Sequence, residues 1–330
     1  MKTPRYSLII PVYNAEGFIQ RSYLSIIAQH YHDLEVIYIN DGSTDKSLNV
    51  IEDIVKKNNN VKVYTQINSG PGIARNTGIK NANGEFVIFM DVDDKLNLQY
   101  FDTLDILLKN KKFNFACFGY SLINKENQVI KDFNFFNDTI INDHLKDFFE
   151  VGTIKNVIWN KVFSRKYLVE NNIYFDNSRI NEDAVFVFKN LVNTNDIVLL
   201  NANLYCHISD NIYSYTNQLS TDHFNSTINN LQIINKLLIE KKLFKNYYKS
   251  FQIYSSRMLF YILFLAALKT KIKSEFILLT EVVYKSSEWE KIKKTYAYSI
   301  KITFIYLLVR NKHLLWFVSF LLKKINYSIQ

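Results

Sequence analysis

Residues 86–94 read Phe86-Val87-Ile88-Phe89-Met90-Asp91-Val92-Asp93-Asp94, five apolar residues running straight into three carboxylates within four positions. A short apolar run without polar alternation suits a strand buried on both faces, as in a parallel sheet covered by helices. Side chains alternate along a strand, so Asp91 and Asp93 share a side and Asp94 points away, provided the strand conformation persists. Carboxylates gathered at the end of a buried strand repel one another, and a cation or an arginine relieves that repulsion. Asp91 and Asp93 can therefore hold Mg2+ or Mn2+ bridging a diphosphate; the alternative is an acidic turn that ends the strand.

The chain before this stretch repeats its logic. Apolar runs at residues 6–12, 34–40, 61–66 and 85–91 alternate with amphipathic stretches at 16–29, 44–57 and 73–82, the pattern of βαβ units around a parallel sheet. Ser43, Thr44 and Asp45 suit the N-cap and first turn of the second helix. A helix over 98–109, a strand over 114–120, a hairpin over 121–132, a strand over 157–163 and a helix over 182–192 are predicted to follow. From residue 224 the pattern is helical.

In an open parallel sheet, ligands sit beyond the carboxyl ends of the strands. The loops Pro11-Val12-Tyr13-Asn14 and Asn40-Asp41-Gly42-Ser43-Thr44-Asp45 thus open into the same crevice as the acidic run. Asp41 can accept from a base imide or a ribose hydroxyl, and Gly42 permits close backbone approach, although Asp-Gly-Ser is also a common turn. The loop from Asn68 through Ser69, Gly70, Pro71, Gly72 and Ile73 brings two glycines to the entrance of a helix, with Arg75 in its first turn. Such an entrance suits a diphosphate, while Arg75 would equally serve as an ion-pair partner within the fold. The loop matches neither the Walker A pattern nor the dinucleotide fingerprint, which disfavours a P-loop ATPase or a Rossmann dehydrogenase.

These four motifs, in this order, resemble glycosyltransferase family 2. The resemblance covers about the first 95 residues and implies an α/β fold of the GT-A nucleotide-diphospho-sugar transferase type, an inverting mechanism and a UDP-sugar donor. It implies that Pro11, Tyr13, Glu16 and Asp41 line the nucleoside site, that Asp91 lies near the ribose, and that Asp93 binds Mn2+ or Mg2+. Trp159-Asn160-Lys161 and Asn181-Glu182-Asp183 look like two later elements of bacterial members. Lys161 is expected near the donor phosphates. Trp159 is either a platform for the acceptor sugar or a core residue. The family more often has glycine before the Glu-Asp pair; here Asn181 takes that place, where it can act as an N-cap. An aspartate in a first helical turn is stabilised as the anion, so Asp183, with Glu182 beside it, is the candidate catalytic base, though acids at helix starts are also routine. His207, in Leu204-Tyr205-Cys206-His207, stands where related enzymes place a metal or diphosphate contact, although a lone histidine is usually not a ligand.

The net charge of +9 is unevenly placed: from Asn225 onward there are 18 Lys and Arg against 5 Asp and Glu, and before it 22 against 26. The apolar runs 258–268, 302–309 and 314–322 are each shorter than the roughly 20 residues that span a bilayer. Basic helices with apolar faces fit a peripheral contact with the inner membrane, or a packed helical subdomain with a solvated lysine face. No nucleic-acid motif accompanies the charge. Cys117 and Cys206 fit neither a disulfide framework nor a zinc pattern, and the apolar stretch near the start is too short for a signal segment, so a cytoplasmic protein is expected.

The resulting expectation is a nucleotide-sugar-binding half over residues 1–95, an acceptor-binding half over 96–222 and a C-terminal helical basic extension over 223–330. The expected activity is hexosyl or N-acetylhexosaminyl transfer from a UDP-sugar to a hydroxyl of a growing cell-surface glycan or lipid-linked glycan acceptor, such as capsule, O-antigen or lipooligosaccharide. A sugar nucleotidyltransferase and a non-catalytic nucleotide-binding membrane adaptor are the alternatives.

Overall fold

In a computed structural model, residues 3–135, 141–178, 180–208, 219–270, 272–293, 309–317 and 319 are described. The first apolar runs become β1 (Tyr6–Val12), β2 (Leu34–Asn40), β3 (Val61–Thr65) and β4 (Phe86–Phe89), with α1 (Glu16–Ile27), α2 (Ser47–Val55) and α3 (Pro71–Asn81) between them. The chain continues through β5 (Lys95–Leu96), α4 (Tyr100–Leu108), β6 (Phe115–Ile123), β7 (Val129–Phe133) and a short α5 (His144–Lys146) that runs into a π-helical turn, Asp147–Val151. Then come β8 (Lys161–Ser164), α6 (Arg165–Glu170), α7 (Glu182–Leu191), β9 (Ile197–Ile208), α8 (Thr221–Glu240), α9 (Phe244–Lys269), α10 (Lys273–Tyr284) and α11 (Ser287–Lys293).

The chain divides into two units. Met1–Asn142, Ile154–Arg179 and Phe186–Tyr213 form the first, and Asp143–Thr153, Ile180–Val185 and Ser214–Gln330 the second.

One sheet runs through the first unit in the order β3-β2-β1-β4-β8-β6-β9-β5, with β7 paired to β6. Strands β1 to β4 are mutually parallel, whereas β8 lies antiparallel between β4 and β6. The chain builds outward from β1 through β2 to β3 and then returns to add β4 on the other side. The carboxyl ends of β1 and β4 therefore flank a point where strand order reverses, the place where such sheets bind ligands. Leu8, Ile9, Ile10, Ile37, Tyr38, Ile39, Val87, Ile88 and Phe89 are fully buried, as strands covered on both faces require. Helix α3 lies so close to β1 that a Cβ on Gly78 would sit 2.3 Å from Ile9 Cγ2.

Three expectations need correction. Strand β4 stops at Phe89, and residues 91–94 turn instead of extending, with the Asp94 N–H donating to the Asp91 carbonyl at 3.1 Å. Asp94 still leaves the side of its neighbours, but by turning into the core. Ser43 and Thr44 do not cap α2; they bond to Asn14, and Asp45 accepts the Ser47 amide at 2.9 Å. The strand predicted over 157–163 is confined to Lys161–Ser164, because Trp159 and Asn160 form a turn.

The second unit is helical. Trp289 packs edge-on to Tyr284 and Phe260, Phe276 meets Trp316, and the π-turn's Phe148 stacks on Tyr254 of α9. Among the described residues, one helix, α9, is long and apolar enough by length and composition to cross a membrane, and 61% of its most apolar window is buried. Residues 302–308 and most of 318–324, part of the apolar and basic runs noted above, lie outside the described residues.

Candidate active site

The first two loops of the crevice are braced against each other. Asn14, with φ 47, accepts from the Thr44 amide at 2.7 Å and donates its own N–H to Ser43 Oγ at 3.1 Å. Glu16 accepts from the Lys46 amide at 2.8 Å while its N–H donates to Asp45 at 3.1 Å. Glu16 thus braces the first two loops, and Tyr13, 53% exposed, leaves its ring open beside half-buried Pro11.

Asp41 ties in the third loop. Its carboxylate is buried and accepts from Gln66 Nε2 at 2.7 Å, Ser69 N at 2.9 Å and Gly70 N at 2.8 Å. A carboxylate offers about four acceptor positions, so Asp41 fixes the loop and retains roughly one for a ligand. The close approach expected at Gly42 occurs against the chain itself: its φ is 71, and a Cβ there would sit 2.8 Å from Asn68 N. Gly70, with φ 90, then turns the backbone into α3, whose first residue is Pro71.

The acidic run meets a cation. Arg75 Nη2 lies 2.9 Å from Asp91 Oδ1, and its guanidinium packs 5.6 Å from the Phe175 ring centre. Asn76 clamps the Phe175 backbone with two hydrogen bonds of 2.9 and 2.8 Å, so α3 carries Arg75 and also holds in place the residue that packs on it. The ion-pair reading of Arg75 is the one observed: it pairs with Asp91 at the entrance of α3. Arg21 Nη2 donates to the Asp93 carbonyl at 2.5 Å, a support the sequence did not point to.

Asp94 is buried. It accepts from Tyr205 OH at 2.7 Å and Ile208 N at 2.9 Å, and faces His207 Nδ1 at 3.1 Å. Burial pushes the Asp94 carboxyl up to about 6. Burial works against the His207 imidazolium, but the hydrogen bond to Asp94 and the charges of Asp94, Asp91 and Asp93 together raise it above its ordinary value. Tyr205 OH also accepts from Asp91 N at 3.1 Å, so one buried phenol links the two ends of the acidic turn. Its only signal in the sequence was its place beside His207.

Lys161 and Trp159 are not where a ligand would need them. Lys161 is fully buried, and its ammonium donates to Lys155 O, Val157 O and Asn160 Oδ1 at 2.9, 2.6 and 2.8 Å. An ammonium has three N–H groups, so Lys161 holds the 155–160 loop and keeps none for a phosphate. Trp159 is 5% exposed, stacked on Tyr205 and His207 at 4.7 and 5.2 Å, and is a core residue instead of an open platform.

Glu182 and Asp183 belong to the second unit, Glu182 buried and Asp183 half-buried in the first turn of α7. Asn181 has φ 57, so it occupies a left-handed conformation rather than the extended one typical of an N-cap. Glycine favours that conformation, and asparagine tolerates it better than most residues with a Cβ. The departure from the family's glycine is therefore conservative in backbone terms. Among the described residues, no group of three or more His, Cys, Asp or Glu side chains is gathered to hold a metal.

Comparison with known proteins bears on the same segment. The sequence model of the family described as "Glycosyl transferase family 2" matches residues 7–168. The putative glycosyltransferase EpsH of Bacillus subtilis is 32% identical over 183 residues, covering 53% of this chain and 51% of that protein. This chain spans about half the length of the first curated relatives it matches. Among solved structures, Staphylococcus aureus TarS 1–349 in complex with UDP-GlcNAc aligns with a TM-score of 0.59 at 20% identity, covering 89% of this chain and 91% of that one. The mannosyltransferase PcManGT of Pyrobaculum calidifontis, in complex with GDP-Man and Mn2+, aligns with a TM-score of 0.51 at 16% identity, covering 94% and 89%. With four ordered motifs on the loops of a parallel sheet and a matching family model, residues 7–168 of the chain form a glycosyltransferase family 2 domain, and the likeness to TarS places the fold in the GT-A class.

Proposed function

We propose that this protein transfers a hexosyl or N-acetylhexosaminyl group from a UDP-sugar, with inversion at the anomeric carbon, to a hydroxyl of a growing bacterial cell-surface glycan. The observation that carries the reading is the pairing of Arg75 with Asp91 at the Gly70 entrance of α3, beyond the carboxyl ends of β1 and β4. A diphosphate placed there meets the Gly72 and Ile73 amides in the first turn of α3, past the Ser69 and Gly70 N–H groups that Asp41 takes, and a guanidinium. The UDP-GlcNAc carried by TarS favours a UDP-sugar as the donor.

The carboxylates suit a divalent cation. Asp91 and Asp93 are partly exposed hard oxygen donors, and such cations often take only one or two protein carboxylates and complete their shell with phosphate and water. Asp93, with Asp91 beside it, would hold Mn2+ or Mg2+, and His207, whose Nδ1 faces Asp94, could add only Nε2. When bound, the cation supplies positive charge to the leaving diphosphate. Asp183 takes the acceptor hydroxyl proton as that oxygen attacks the anomeric carbon; the bond from that carbon to the diphosphate oxygen breaks, and UDP leaves with the electron pair. Arg75 and the N–H groups at the start of α3 stabilise the charge that develops on the leaving group.

The basic second unit supports placing the enzyme on the cytoplasmic face of the inner membrane, where a lipid-linked acceptor would be met. A panel of UDP-, GDP- and dTDP-sugars, assayed with and without chelator, tests the proposal: UDP release that requires a divalent cation is expected. Pyrophosphate as product would indicate a nucleotidyltransferase, and binding without turnover an adaptor.

A further inference from the structure

Asn181, the residue before the Glu182-Asp183 pair, has φ 57, a backbone conformation disfavoured for any residue with a Cβ. Two side chains of α8 engage it. Asn230 Nδ2 donates to the Asn181 carbonyl at 2.9 Å, and Asn181 Nδ2 donates to Thr227 Oγ1 at 3.4 Å. The Thr227 hydroxyl donates onward to the His223 carbonyl at 2.8 Å, which turns its lone pairs toward Asn181. Thr227 and Asn230 are 5% and 4% exposed and lie three residues apart, on one face of the helix.

The orientation of the Asn230 amide is chemically fixed. A carbonyl can only accept, so the NH2 side must face Asn181, and Oδ1 is left buried without a hydrogen-bond partner among the described residues. An amide half-satisfied in this way is unfavourable by itself, and a leucine there would avoid the penalty. The bond it donates to Asn181 is what the amide contributes.

We propose that Asn230 and Thr227 are positioning residues for Asp183. By holding the carbonyl and side chain of Asn181, the helical extension fixes the first turn of α7 and with it the direction in which the Asp183 carboxylate points. General-base catalysis depends steeply on such placement, because a base displaced by about 1 Å loses its near-attack geometry. The proposal rests on the reading of Asp183 as the base, and it makes the extension part of the catalytic apparatus, whatever else the extension meets.

The test uses the full chain and measures kcat, acceptor KM, UDP-sugar affinity and melting temperature. Asn230→Ala should lower kcat roughly 10- to 100-fold with donor affinity unchanged within about two-fold. Thr227→Val should lower kcat by less, and Thr227→Ser, which keeps the hydroxyl, should restore it. In an Asn181→Gly background Thr227→Val should have no effect, because its partner side chain is gone, whereas Asn230→Ala should keep its effect, because glycine retains the carbonyl. Unchanged kcat in Asn230→Ala, equal Thr227→Val effects in both backgrounds, or donor affinity falling in step with kcat would overturn the proposal. If Asn230→Ala folds poorly, the Thr227 cycle decides alone. An inactive Asp183→Asn beside a fully active Asn230→Ala refutes positioning only, while a fully active Asp183→Asn refutes the base assignment and the proposal with it.

Discussion

An isosteric amide distinguishes a carboxylate that takes a proton from one that merely begins a helix. Asp183→Asn should keep the fold and the donor affinity while lowering kcat by about 10²- to 10⁴-fold, the usual contribution of a general base. Loss of a helix-dipole carboxylate alone should remove roughly 1 kcal/mol of stability and little rate. Glu182→Gln is the control; a dead Glu182→Gln beside an active Asp183→Asn would move the base to the neighbouring carboxylate. Asp93→Ala should abolish metal-dependent UDP binding and transfer, and wild-type turnover in that variant would end the metal assignment. The Asp94–His207 pair makes a pH prediction. Both groups are held above their ordinary values, so this pair binds more protons in the folded chain than in the unfolded chain from about pH 4 upward. Their contribution to stability is greatest at low pH and is lost as pH rises through the folded values; melting temperatures of Asp94→Asn should accordingly depend less on pH between about 4 and 7 than those of wild type. Arg75, Asp91 and Asp41 were legible because a helix entrance and two strand ends fix their neighbourhood locally. Lys161 and Trp159 were not, because their burial depends on the turn at 155–160 and on β9, neither of which local spacing reveals.

At the scale of elements, hydrophobic period placed β1 and β2 to the residue, since a strand buried on both faces needs an unbroken apolar run. Helix α2 began later than expected because Ser43 and Thr44 bond across to Asn14, a contact between loops about thirty residues apart. Strand β9 went unread because Asn201 and Asn203 interrupt its pattern, although it pairs with β6 over most of its length. The dependence of the site on α3 lying close to β1 can be measured with two glycines. Gly78→Ala would press a methyl 2.3 Å from Ile9 Cγ2 and should cost about 1–3 kcal/mol, shifting the Gly70 loop with it. Gly17→Ala, on α1 with nothing within 4 Å, should instead gain about 0.5–1 kcal/mol. Equal melting temperatures for the two variants would mean that α3 adapts freely and that its close approach does not set the loop.

For the molecule as a whole, the question is what the basic C-terminal third meets. Removing the chain after Val309 is a poor probe, because Leu315 is fully buried, Trp316 packs on Phe276, and Ser319 Oγ donates to the Ala267 carbonyl at 3.0 Å. Such a truncation should destabilise the second unit by several kcal/mol through lost core packing, so a change in sedimentation after it would say nothing about lipid. A surface probe avoids this. Leu314 and Phe317 are 43% and 57% exposed and stand three residues apart on the 312–317 helix, near Lys312 and His313. If that face enters an anionic bilayer, burying two such side chains contributes about 2–4 kcal/mol, and Leu314→Ser with Phe317→Ser should weaken binding to phosphatidylglycerol-containing vesicles at least about 30-fold. Binding should also weaken with salt, because the lysines act through a screened field. The melting temperature should hardly move, since neither side chain is in the core. Equal vesicle binding by wild type and the double variant, or none by either, would assign the basic face to solvent and leave the extension its packing and its hold on Asn181.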